Sequence, residues 1–232
     1  MGFGISETGD VMGRLIQKLE HASANLANAS TAGYKAVHLH AVSNPTEGQG
    51  VNQEFVPVVD FSPGLAQRTG NELDLMIEGE GFFVVQTKDG RFYTRRGDFT
   101  LDKDGRLVTQ SGDAVLGEGD RPIIIKQGPV SISESGLVKA GDDEVGRLNI
   151  VSFDKTSSLQ RLSNGYFASP VEGKKVEKPR IAQGALEMSN VNPIREMVDL
   201  IDIQRSFEVY QKVIQTISEE EKTATSRVGR LA

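Results

Sequence analysis

Two narrow apolar stripes, one at each end of the chain, constrain its fold more than any other feature. Residues 10–31 carry Met12, Leu15, Leu19, Ala22, Leu26 and Ala29 at intervals of 3, 4, 3, 4 and 3, the spacing of a coiled-coil seam. Asp10 stands where an N-cap belongs, and Gly33 where a helix stop belongs. A helix of this length spans about 30 Å at ~1.5 Å per residue. Near the other end, Asn192-Pro193 offers a capping side chain followed by proline at the first helical position. Leu200, Ile203, Phe207, Tyr210, Ile214 and Ile217 then repeat the same intervals in a helix expected to reach about Ser226. A narrow-striped helix is stable only when its stripe is covered. The two seams are therefore expected to pair with each other or with those of other copies. The plainer alternative is an ordinary pair of helices packed on a domain core.

Between these ends the pattern changes. Leu73–Ile77, Phe82–Thr87, Arg91–Arg95, Arg106–Thr109, Pro122–Lys126, Val130–Ser133, Leu137–Ala140, Gly146–Phe153 and Gly165–Ser169 are short and β-prone, with Gly- and Asp-rich turns between them. Lys-Asp-Gly-Arg occurs twice, at 88–91 and 103–106. Asp-Gly between apolar runs predicts a type I′ hairpin, in which both central residues have positive φ. The expected class is α+β: two terminal helices pairing as a coiled-coil-like layer, an irregular connector, and a central antiparallel all-β domain. The expected segments are 1–33 for the first helix, 34–70 for a connector with some β character, 71–182 for the β domain, and 183–232 for a second connector and helix.

Composition narrows the function classes. A chain of 232 residues with net charge −6 has no clustered Lys and Arg to bind phosphates, so no nucleic-acid partner is expected. No run of 18 apolar residues occurs, so no membrane insertion is expected. The start does not read as a cleavable signal peptide. Cysteine is absent, which by itself is compatible with any compartment.

Catalytic and metal motifs are missing at the spacings they need. His38 and His40 share one face of a predicted strand, but a metal site needs three or four ligands. Asp102-Lys103-Asp104-Gly105 looks like the start of an EF-hand loop. Placing Gly105 at the sixth loop position puts Thr100 first and Ser111 twelfth, where carboxylates belong. Gly79-Glu80-Gly81 lacks the third glycine and the helix of a dinucleotide loop. Glu78 and Glu80 read as turn-flanking groups, and His21 has no Ser or Cys partner. No enzyme activity, cofactor or metal is expected.

Three collinear segments resemble the flagellar axial proteins, the family of rod and hook subunits. The first is Ala24-Asn25-Leu26-Ala27-Asn28-Ala29-Ser30-Thr31-Ala32-Gly33-Tyr34-Lys35. The second runs from Thr69-Gly70-Asn71-Glu72-Leu73-Asp74-Leu75 into Ile77-Glu78-Gly79-Glu80-Gly81-Phe82-Phe83-Val84-Val85, then Tyr93-Thr94-Arg95-Arg96-Gly97-Asp98-Phe99 and Asp104–Thr109. The third is Gly184-Ala185-Leu186-Glu187-Met188-Ser189-Asn190-Val191-Asn192, followed by Glu196-Met197-Val198 and Gln204–Glu208. His21-Ala22-Ser23 and Ala32 depart from the usual motif. Val59–Gly64 and the chain length resemble the proximal-rod subunits more than the distal-rod ones, and hook subunits are generally much longer.

The resemblance implies terminal helices in an inner tubular layer, with the β domain outside them and the connector touching neighbours. It implies other copies and other rod proteins as partners. It also implies export without a cleavable signal through the type III export apparatus, and a place in the basal-body rod within the periplasmic space. About ten seam side chains, each worth ~1.5–3 kcal/mol when fully buried, would then drive ordering on incorporation. The expected interface consists of the twelve seam residues named above. The contrasting expectation is a secreted β module that binds a ligand and is dimerised by its helices; stable helix in dilute solution would favour it.

Overall fold

The computed structural model describes residues 3–46, 49–126 and 128–228. It is an α+β chain, with helices α1 (Phe3–Ala27) and α2 (Pro193–Val228) at its ends and a largely antiparallel β body between them. The chain divides into two compact units. One is Met1–Ala27, Val37–Val58 and Asn192–Ala232; the other is Asn28–Ala36 and Val59–Val191.

In the first unit α1 packs against α2 and against the strand Val37–Thr46. That strand pairs with Gln49–Val59, so much of the expected irregular connector is regular β structure. Asp10 lies inside α1 instead of capping it. A cap is worth only ~1 kcal/mol, too little to set the start when preceding residues can add helical hydrogen bonds. Asn192 does cap α2: its Oδ1 accepts from Ile194 N–H at 3.1 Å and Arg195 N–H at 3.2 Å. At ~1.5 Å per residue, the 36 residues of α2 extend about 54 Å.

Gly33 does not stop α1, which ends at Ala27. Residues 28–34 form turns of the second unit, in which Thr31 N–H donates to Asn28 O at 3.0 Å and Tyr34 N–H to Thr31 O at 3.3 Å. Gly33 has φ +67°, and a Cβ there would sit 2.5 Å from the Arg96 nitrogen and 2.6 Å from the Arg95 carbonyl carbon. Its glycine is required by a close backbone approach from a strand end far along the chain. Ala29 is likewise off the helix, packed near Tyr34, Ala36 and Val191.

The second unit is built on a nine-stranded sheet. Its central strand, Phe82–Thr87, pairs with Gly90–Thr94, Ala114–Val115 and Ile150–Ser152. Alternation explains why Phe82-Phe83-Val84-Val85 is continuously apolar. Phe83 and Val85 enter one core with Leu75, Leu107, Val138 and Ile181. Phe82 and Val84 enter a second with Leu116, Val151 and Phe167, so both faces are covered.

The Lys88–Arg91 hairpin forms, but not as a type I′ turn. Thr87 pairs with Gly90, leaving Lys88 and Asp89 as the loop. Neither has positive φ, which Gly90 carries instead at +132°. At 102–106 Asp102 Oδ1 accepts from Asp104 N–H at 2.9 Å and Arg106 N–H at 2.8 Å, closing a short hairpin loop. Pro122–Lys126 is not a strand; it makes isolated bridges at Pro122 and Ile124. Gly146–Phe153 divides into parts of two strands, Asp143–Arg147 and Ile150–Ser152.

Candidate functional site

Within the second unit the three sequence motifs converge on one carboxylate, that of Glu187. The strand Ala185–Glu187 alternates inward, outward, inward, which turns Glu187 into the interior. Its Oε1 accepts from Lys35 Nζ at 2.6 Å and from Gly64 N–H at 3.0 Å. Its Oε2 accepts from Arg95 Nε at 2.8 Å, and its main-chain carbonyl accepts from Gly33 N–H at 2.7 Å. Lys35, Arg95 and Glu187 are 2%, 6% and 3% exposed. Two buried cations therefore share one anion.

Backbone carbonyls supply the remaining negative potential. Lys35 Nζ also donates to Ser62 O at 2.7 Å. Arg95 Nη1 donates to Gly79 O at 2.9 Å and Gly81 O at 2.6 Å, while Nη2 reaches Ile77 O at 3.3 Å. The rigid five-donor fork of Arg95 thus holds the 77–81 turn, for which a lysine would be a poor substitute. Burial pulls the Lys35 ammonium below its ordinary pKa against the pull of Glu187, and Arg95 pulls it the same way as burial.

The flanking motif residues close the junction. Tyr34, Ala36 and Val191 form a small buried cluster, with the Arg161 guanidinium 4.1 Å from the Tyr34 ring centroid. Asn190 Oδ1 accepts from Ala36 N–H at 2.8 Å, and its Nδ2 donates to Asp60 O at 2.9 Å. Ser189 is buried, and its Oγ accepts from Val191 N–H at 3.2 Å. Gly81 lies so close to Ile150 that a Cβ would meet its Cγ2 at 2.7 Å.

The first unit has its own polar junction. Asn25 is 1% exposed. Its Oδ1 accepts from Val37 N–H at 3.0 Å, and its Nδ2 donates to Val37 O at 2.9 Å and Glu196 Oε1 at 3.2 Å. One amide thereby fixes the end of α1, the start of a strand and the first turn of α2.

The seam residues are covered unevenly. Ala22 is buried and Met12, Leu15 and Leu26 are half-buried, but Leu19 is 41% exposed. Leu200, Ile203, Phe207, Tyr210, Ile214 and Ile217 are all half-buried. Elsewhere on α2, Ile194, Met197, Val198, Ile201, Val209 and Val213 remain exposed. The motifs included Glu187 and Arg95 without giving them a role, and the seam pattern passed over this second stripe. The stripe is legible in its 4, 3 and 8-residue spacings, and Glu187 in the inward alternation with Ala185.

His38 and His40 are both exposed on their strand. Among the described residues no cluster of three or more His, Cys, Asp or Glu could hold a metal, and no helix is long and apolar enough to cross a membrane. Asp102 is held below the ordinary carboxylate range by hydrogen bonds from Arg106 and Asp104. That shift belongs to the hairpin loop described above. The arrangement is a scaffold of buried junctions with uncovered helix faces.

Comparison with known proteins fits this arrangement. Residues 182–227 match the family described as flagellar basal body rod FlgEFG protein C-terminal, and residues 76–140 match the flagellar hook protein FlgE/F/G D1 domain. The chain is 34% identical over 230 residues to the flagellar basal-body rod protein FlgF of Caulobacter vibrioides, covering 94% of each chain. It is 34% identical over 226 residues to FlgF of Salmonella typhimurium, covering 87% of this chain and 88% of that one. The rod protein FlgG of Borreliella burgdorferi is 31% identical over 228 residues, covering 83% and 86%. Carrying both family segments, and similar to FlgF and FlgG over most of its length, the chain belongs to the flagellar basal-body rod proteins as a structural subunit of FlgF-like type.

Proposed function

We propose that this chain serves in the proximal part of the rod, with α1 and α2 in the inner layer and the β body outside it. The single observation that carries this reading is the uncovered apolar stripe of α2, where five of the residues are more than half exposed. A long helix with apolar residues on both its covered and its open side has no single-chain solution that buries them all. Copies joined by different, non-closing surfaces would bury them and extend a tube. Other copies and other rod proteins are the partners. The chain travels through the type III export apparatus of the flagellum and comes to rest in the periplasmic space. Of the segments 1–33, 34–70, 71–182 and 183–232, the first and last bring α1 and α2 to the inner layer, the second is the connector and the third the outer body, while residues 28–33 and the connector 183–191 pack with the β body. Seam residues such as Leu15 and Ile203 hold the inner layer together.

A deletion strain complemented with the full chain tests this reading. Basal bodies imaged by electron microscopy should regain their rods, with the chain in the proximal part. Normal rods without the chain, or a chain absent from restored rods, would overturn it.

A further inference from the structure

We propose that the second unit binds a small organic acid, one carboxylate on an aromatic or short aliphatic body, in a cavity between Lys35 and the rings of Phe61, Phe82 and Phe153. The proposal goes beyond the rod-subunit reading and does not rest on it. The cavity has a volume of about 590 Å3, inside the range of roughly 300–1,000 Å3 typical of small-molecule sites. Every residue lining it belongs to one compact unit.

The inner wall is apolar. Phe82 is 5% exposed, and Phe61 and Phe153 are half-buried. Phe82 meets Phe61 at 5.6 Å and Phe153 at 5.8 Å between ring centroids, both edge to face. An apolar body entering beside these rings leaves water, and an aromatic one extends their edge-to-face packing.

The buried charge selects an anion. Lys35 and Arg95 against Glu187 leave one positive charge in excess. Arg95 spends its fork on Glu187 and on the carbonyls of Ile77, Gly79 and Gly81. Lys35 does not spend all of its donors. An ammonium has three N–H groups, and the bonds to Glu187 Oε1 and Ser62 O use two. Asp60 pulls on Lys35 more weakly than Glu187 does, and both its oxygens accept from Ser62. A ligand carboxylate at the third N–H makes a charge-assisted bond where attraction is stronger than in water.

The mouth of the cavity carries two carboxylates, Glu80 and Asp154, both exposed. Asp154 is paired with Lys174 at 2.6 Å. Glu80 repels an entering anion, but solvent screens it. The unmatched cation lies inside, where screening is weak, so it outweighs Glu80.

Calorimetric titration of the purified full chain with 4-phenylbutyrate near neutral pH tests the site. A Kd of about 0.1–1 mM is expected for a ligand of this size. The neutral 4-phenylbutanol should bind at least tenfold more weakly. No binding of the acid, or alcohol binding as tight as the acid, would overturn the proposal. Tighter binding of 4-phenylbutylamine would overturn it too, by assigning the cavity to Glu80 and Asp154. Thr156 is an exposed residue of the lining, so Thr156→Trp should block the mouth, abolish binding and leave the melting temperature unchanged. Undiminished binding in that folded variant would place the ligand elsewhere. Lys35→Met should bind acid and alcohol alike, a readout that loss of packing alone does not produce; retained preference for the acid would remove Lys35 from the site. Should that variant fail to fold, the acid and alcohol comparison on the natural chain decides. Each of these failures leaves the rod-subunit reading intact.

Discussion

Lys35 and Glu187 stand 152 residues apart in sequence and form a 2.6 Å ion pair in which neither side chain is more than 3% exposed. The pair joins the turn after α1 to the strand that leads towards α2, inside one compact unit. Arg95 makes it a triad by adding the central motif.

Removing the shared anion leaves two buried cations without a counter-charge. Glu187→Gln should lower unfolding stability by about 3–5 kcal/mol. Urea unfolding of the full chain, followed by near-ultraviolet signals of the β body, measures it. A loss below about 1 kcal/mol would show the triad to be dispensable.

The pH dependence of Lys35 has a defined sign. Its folded pKa lies below the ordinary lysine value of 10.5, chiefly because of burial. Between that lowered value and 10.5 the unfolded chain holds more protons, so this group makes stability rise with pH. Below the lowered value both states are protonated, and the contribution is flat. The stability advantage of the natural chain over Lys35→Met should therefore grow across the alkaline range and level off above 10.5. A falling advantage across that window would contradict it.

Gly33→Ala combines a left-handed backbone with a Cβ 2.5 Å from the Arg96 nitrogen. About 3 kcal/mol of destabilisation is expected. The melting temperature should drop accordingly, with full recovery on restoring glycine.

Asn25→Leu removes three hydrogen bonds and strands the Val37 amide and Glu196. The expected cost is about 2–3 kcal/mol, confined to the unit containing both helices. Amide hydrogen exchange should speed up in α1 and α2 and stay unchanged in the strand Phe82–Thr87.

The two seams should respond differently to charge. Phe207→Asp places a carboxylate at a half-buried site and should weaken helix pairing by about 2–3 kcal/mol, seen as lost helical circular dichroism. Leu19→Asp, at a 41% exposed position, should leave monomer stability within about 1 kcal/mol and instead reduce rod incorporation. Equal loss of monomer helicity in both variants would assign Leu19 to the fold and not to assembly.

Much of this protein could be read along the chain. The heptad-like spacing marked both helices, because a helical stripe is a local pattern, and Asn192-Pro193 marked the start of α2 for the same reason. The Phe82–Thr87 strand and the 88–91 and 103–106 hairpins were legible from alternation and turn residues. The end of α1 was misplaced, since Gly33 resembles a helix stop although its need for glycine comes from Arg95 and Arg96 approaching through space. Val37–Thr46 and Gln49–Val59 lacked a strong alternation and read as an irregular connector with some β character, while pairing between the two segments made them strands.

Sequence periodicity settled the element types and, through three collinear motifs, the family. Tertiary structure alone decided that these motifs meet at Glu187, and which apolar stripe on α2 is covered and which stays open. The reason is physical. Helix and strand patterns depend on neighbours a few residues away. The burial of a charge or a stripe depends on what the folded chain brings against it, and in this chain those partners lie up to 171 residues apart.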